Sequence, residues 1–148
     1  MFSSAANEAV VRRFWDEVLG PDGGYEEGIK EVWADDLVWH GPAGLGTVHG
    51  KEEYLKILKL FLSSFPDIKV TPEKILADDD ENLVTTRYTW HGTHTGEFMG
   101  VAPTGRPVTV TGVSIYRIKD NKIVEEWFHQ DLLGLMQQLG AAPMPGGG

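Results

Sequence analysis

Apolar positions follow helical spacing in the first half of the chain and strand spacing in the second. Val10, Val11, Phe14, Trp15, Val18 and Leu19 form one helical stripe, with Ser4 placed to cap it. The spacing predicts a first helix from Ser4 to about Leu19, stopped by Gly20-Pro21-Asp22-Gly23-Gly24. A short second helix carries Tyr25, Ile29, Val32 and Trp33 on one side, and Asp35-Asp36 closes it. Leu37-Val38-Trp39-His40 reads as a short strand, and 41–50, with four glycines and one proline, as a loop. A third helix from about Lys51 to Ser64 turns Tyr54, Ile57, Leu58, Phe61, Leu62 and Phe65 inward, and Pro66 ends it.

From Ile68 the pattern alternates. Ile68–Ala77 reads as a strand that Pro72 places at an edge or a bulge, because proline has no N–H for a ladder. A charged turn, Asp78-Asp79-Asp80-Glu81-Asn82, leads into a β-branched and aromatic strand, Leu83–His91. A glycine-punctuated connection (92–106), a long strand Val108–Ile118, a tight hairpin at Lys119-Asp120-Asn121-Lys122, a last strand from Ile123 to about Asp131 and a helical turn over Leu132–Leu139 complete the pattern. Helices segregated from an antiparallel meander define an α+β domain, expected over 1–140, with 141–148 as a flexible tail.

The last two strands carry apolar residues on both faces. Pairing outward from the hairpin groups Gly112, Ser114, Tyr116 and Ile118 with Ile123, Glu125, Trp127, His129 and Asp131. The opposite face groups Thr111, Val113, Ile115 and Arg117 with Val124, Glu126, Phe128 and Gln130. The first group mixes aromatic and titratable side chains, as a pocket wall does.

Charge and composition narrow the partners. Thirteen basic residues against twenty-two acidic ones give the 148-residue chain a net charge of −9, a field that repels phosphate backbones and anionic lipid. Neither nucleic acid nor a membrane is an expected partner. With no cysteine there is no disulfide, thiolate metal site or cysteine nucleophile. No apolar run is long enough to span a bilayer and the first residues lack a basic and apolar signal, so a cytoplasmic location is expected. Phosphate-loop, dinucleotide and Gly-x-Ser-x-Gly patterns are absent, which disfavours nucleotide use and serine hydrolysis.

The run His91-Gly92-Thr93-His94-Thr95-Gly96-Glu97-Phe98-Met99-Gly100 with Pro103-Thr104-Gly105-Arg106 resembles a stretch of the SnoaL-like polyketide cyclase (ester cyclase) family. So do Asn121-Lys122-Ile123-Val124-Glu125-Glu126-Trp127, Asp131 and Leu135-Met136-Gln137-Gln138-Leu139-Gly140. Gly50 opening the third helix, Phe65-Pro66-Asp67 closing it and the acidic turn before the strand of Arg87 extend the likeness over about Ala9 to Gly140. The resemblance implies a nuclear transport factor 2-like cone, with three N-terminal helices packed on a curved antiparallel sheet around a pocket. It also implies a homodimer or higher homo-oligomer. The implied chemistry is cofactor-independent and metal-free: an intramolecular aldol cyclisation of a small apolar carbonyl compound, with Asp131 at the position of the family's acid/base aspartate. Related pockets serve isomerases, dehydratases, epoxide hydrolases and non-catalytic ligand carriers, so these alternatives stay open.

The plainer reading of Asp131 is a cap on the helix at Leu132. His129, two residues earlier, shares its face in a strand and is a candidate to exchange a proton with it or to polarise a carbonyl. Arg87 is a candidate to hold an enolate, or to form a structural ion pair with a residue such as Glu125. Expected pocket residues are Trp127, Tyr116, His91, His94, Trp39, His40 and Phe61. No metal is expected, because His91 and His94 at strand spacing point to opposite faces.

Overall fold

The computed structural model describes residues 4–19, 24–42 and 44–144. The expected stop at 20–23 and the last four residues of the expected tail lie outside them. The fold is mixed α+β: helices α1 (Ser4–Arg13), α2 (Tyr25–Val32), α3 (Lys51–Ser64) and α4 (Leu132–Gln138) accompany one six-stranded curved sheet. Its strands are β1 (Trp33–His40), β2 (Thr47–His49), β3 (Lys69–Ala77), β4 (Leu83–Thr93), β5 (Pro107–Lys119) and β6 (Lys122–Gln130), in the order β2-β1-β6-β5-β4-β3.

Two features depart from the expected meander. Strand β2 lies within the glycine-rich loop and pairs with β1. Strand β1 in turn pairs parallel to β6, so the sheet is not wholly antiparallel. Parallel neighbours need a long crossover, and here nearly the whole fold separates the two strands.

The first helical stripe changes pitch partway. Phe14–Val18 forms a π turn closed by the Leu19 N–H on the Phe14 carbonyl at 3.1 Å, and Phe14, Trp15 and Val18 are all buried. The wider turn aims consecutive aromatic rings at the sheet. Phe14 meets Trp33 edge-on at 5.2 Å, and Trp15 meets Tyr88 at 6.1 Å and Tyr116 at 6.4 Å. Ser4 opens α1, and its backbone N–H donates to Asp79.

Strand β3 is one of the two sheet edges, and its pairing with β4 shifts register between Pro72 and Lys74, so both readings of Pro72 describe it. The outward Lys69, Glu73 and Lys74 charge this edge against pairing with another chain. Alternation is clean on β4 and β5. Val84, Thr86, Tyr88 and Trp90 face the helices beside Val108, Val110, Gly112, Ser114, Tyr116 and Ile118. Asp120 and Asn121 both have positive φ, the conformation of a two-residue hairpin turn.

The register shifts again just past that turn. Ile118 pairs with Ile123, yet Arg117 pairs with Glu125, so Val124 is an extra residue on β6. A one-residue bulge reverses the facing of everything beyond it. Ile123 and Glu126, three apart, therefore both point inward. This corrects the expected grouping: Glu126, Phe128 and Gln130 share the inner face with Ser114 and Tyr116, while Glu125, Trp127 and His129 lie on the outer face.

A buried carboxyl in an aromatic cavity

The inner sheet face, the π turn and α3 line a cavity with about 80 Å3 of free interior, part of about 610 Å3 of empty space that opens to solvent. Aromatic and aliphatic side chains line it, with Trp39, Tyr54, Phe61 and Tyr116 toward the interior. The partly exposed Leu19, Ile57, Leu62, Ile68 and Val70 lie on its open side. Gly112 keeps the wall thin. A Cβ there would lie 2.7 Å from the Tyr88 ring, so only glycine lets that ring lie across β5.

Among these apolar surfaces stand two strongly polar groups, Glu126 and Gln130, both on β6. Glu126 is 3% exposed. The sheet register sets Trp39 of β1 on one side of it and Tyr116 of β5 on the other. Burial pushes its carboxyl up from 4.5 to about 7, and hydrogen bonds with Ser114, Tyr116 and Trp39 hold the rise to that extent. The Trp15 indole donates to the Tyr116 hydroxyl at 3.4 Å, and Tyr88 and Ser114 share a 3.3 Å hydroxyl contact. Burial and the charge of Glu126 drive the phenols of Tyr54, Tyr88 and Tyr116 upward, so all three are neutral proton donors at physiological pH. The arrangement offers a carboxyl able to take or release a proton near pH 7, held against a surface suited to a flat apolar molecule.

Tyr116, Trp39 and Phe61 line the cavity, while the other residues singled out from sequence are dispersed. Asp131 has left the strand and is exposed. Its carboxylate accepts the Gly134 N–H at 2.9 Å as the cap of α4. His129 is exposed opposite Val113 on the outer face, and Arg87 is exposed on β4 between Lys74 and Val113. Arg117, not Arg87, is the guanidinium beside Glu125, at 3.4 Å. Trp127 stacks on His40 at 5.5 Å, and His40 Nε2 lies 2.6 Å from Glu125, all on the outer face. His91 is exposed and contacts the Thr109 hydroxyl. His94 is fully buried against Phe65, and its Nδ1 accepts the Thr104 N–H, tying down the 94–106 connection. Among the described residues no group of His, Asp and Glu is placed to hold a metal ion. Among the described residues no helix is long and apolar enough to cross a membrane.

Glu126 and Gln130 were missed because β6 does not alternate. Ile123-Val124, Glu125-Glu126 and Trp127-Phe128 come in like pairs, so either parity satisfies the pattern. Such doublets are themselves the available signal of a bulge.

The model of the SnoaL-like polyketide cyclase family matches residues 9–139. Among solved structures, a SnoaL-like polyketide cyclase candidate from Jannaschia sp. CCS1 is 25% identical, with 94% of each chain covered and a TM-score of 0.83. AclR, a hydroxylase candidate from Streptomyces galilaeus, is 30% identical over 96% of this chain and 89% of its own, with a TM-score of 0.82. IdmH, a polyketide cyclase candidate from Streptomyces antibioticus, is 32% identical over 90% of this chain and 98% of its own, with a TM-score of 0.76. Among curated proteins none matches the chain.

Proposed function

Because the chain belongs to the SnoaL-like polyketide cyclase family, we propose that its cavity performs cofactor-independent acid/base chemistry on a small, flat, apolar carbonyl compound, with Glu126 as the proton carrier. The observation that carries this reading is the buried Glu126 carboxyl, raised to about 7 within an aromatic wall. As carboxylate it removes a proton from the carbon next to a carbonyl, leaving an enolate. In an aldol closure the enolate carbon bonds to a second carbonyl carbon of the same molecule. The resulting alkoxide then takes the proton back from Glu126. Hydrogen bonds from Ser114, Tyr116 and Trp39 steady the carboxylate between these steps. Asp131, His129 and Arg87 stay outside the reading, since none lines the cavity.

The proton-abstraction half is testable without the native substrate. In D2O, the wild type should speed deuterium uptake into the methyl group of 2-acetylnaphthalene, with a rate that rises with pH through about 7. Glu126→Gln should lower that rate by about a hundredfold or more, the usual contribution of a positioned general base. Equal rates in wild type and E126Q, or no exchange by either, would remove the reading. Loss in D131N but not in E126Q would return the role to Asp131.

A further inference from the structure

Gln130 presents a feature that the proton-transfer reading does not use. The Trp90 indole N–H, which can only donate, lies 3.0 Å from Gln130 Oε1. That contact decides which way the carboxamide points. Its carbonyl is committed to Trp90, and its NH2 group is turned elsewhere. Nε2 is buried and has no hydrogen-bond partner among the described residues, and Gln130 lines the cavity. A buried amide donor without an acceptor is costly, and proteins seldom leave one in place. Here an orienting contact fixes the direction of the carboxamide in a residue that lines the cavity.

Its distance from Glu126 has chemical meaning. The two residues are four apart on β6, on one face and beyond the bulge. At about 3.3 Å per residue their Cα atoms are about 13 Å apart along the strand. One carbonyl of a compact substrate therefore does not reach both. Between them lies Phe128, with Phe61 6.1 Å and Trp39 5.3 Å from its ring. This stretch of the floor is apolar and offers no hydrogen bond.

We propose that Gln130 is a specificity-determining donor, held by Trp90, that binds a second hydrogen-bond acceptor at the far end of an elongated substrate. The substrate class is then a flat molecule about two fused rings long. One carbonyl lies at Glu126, and an acceptor oxygen, from a carbonyl or a comparable group, lies at Gln130. Trp90 acts as a positioning residue through Gln130. The inference rests on the cavity being the substrate site but not on the proton transfer.

The test compares two probes of one shape, 2,6-diacetylnaphthalene and 2-acetyl-6-ethylnaphthalene, which differ by the second carbonyl. Binding is followed by fluorescence, since Trp15, Trp39 and Trp90 line the cavity. The wild type should bind the diacetyl compound about tenfold more tightly, the worth of one buried hydrogen bond. Gln130→Leu should bind both compounds equally, with its affinity for the acetyl-ethyl compound near that of wild type. Trp90→Phe should show an intermediate preference, because the carboxamide is then free to turn; general loosening of the wall would weaken both compounds alike. Binding preference and deuterium exchange are separate readouts on the wild type, so failed exchange with this preference intact removes only the acid/base reading. The proposal is overturned if wild type binds the two compounds equally, if the preference survives in Q130L, or if neither compound binds.

Discussion

Replacing Glu126 by glutamine separates burial of a carboxyl from burial of its charge. The unfolded carboxyl titrates near 4.5 and the folded one near 7. Below that interval both states hold the proton, and above it neither does. Within it the folded chain keeps a proton the unfolded chain has released, so stability falls as pH rises. Each pH unit in the interval costs about 1.4 kcal/mol, and the whole interval about 3 kcal/mol. Full burial of the group leaves little solvent to screen this term. Glutamine resembles the protonated acid in shape and does not titrate. From pH 4.5 to 8 the stability of E126Q relative to wild type should therefore improve by about 3 kcal/mol, whatever the offset at pH 4.5. Urea unfolding at several pH values reads this directly. With a slope of about 2 kcal/mol per molar, the midpoint difference should move by about 1.5 M. Other titrating groups cancel in the comparison. A difference constant to within about 0.5 kcal/mol across that range would refute the argument, because the carboxyl would then be solvated in the folded chain.

Two further substitutions test other parts of the fold. Asp131→Ala removes the acceptor for the Gly134 N–H and should cost about 1 kcal/mol in thermal or urea unfolding, the usual worth of an N-cap. It should leave the deuterium exchange rate unchanged. Gly112→Ala places a methyl group 2.7 Å from the Tyr88 ring, which Trp15 already covers, and should destabilise by about 1–3 kcal/mol. Relief of backbone entropy alone would stabilise by up to about 1 kcal/mol, so the sign of the change decides whether the contact is as tight as described.

The elements were legible in the sequence wherever period and punctuation agreed. Tyr54, Leu58 and Phe61 mark α3 by helical spacing, and Pro66 ends it. Val84, Thr86, Tyr88 and Trp90 mark β4 by alternation, and Asp120-Asn121 marks the hairpin. These are local facts, set by backbone geometry over a few residues, and the α+β class followed from their order. Family membership was legible too, through motifs spread along most of the chain. The buried polar face of the cavity was not, for two physical reasons. The facing of β6 depends on one extra residue, Val124, and a bulge that size is compatible with a sequence of like pairs in either parity. The parallel pairing of β1 with β6 joins segments some 90 residues apart, a contact that no local pattern encodes. Together these two features place Glu126 between Trp39 and Tyr116 instead of in solvent. The sequence by itself determined which elements form and supplied the carboxyl. Tertiary structure decided which of two neighbouring glutamates is buried, and burial is what brings a carboxyl to about 7.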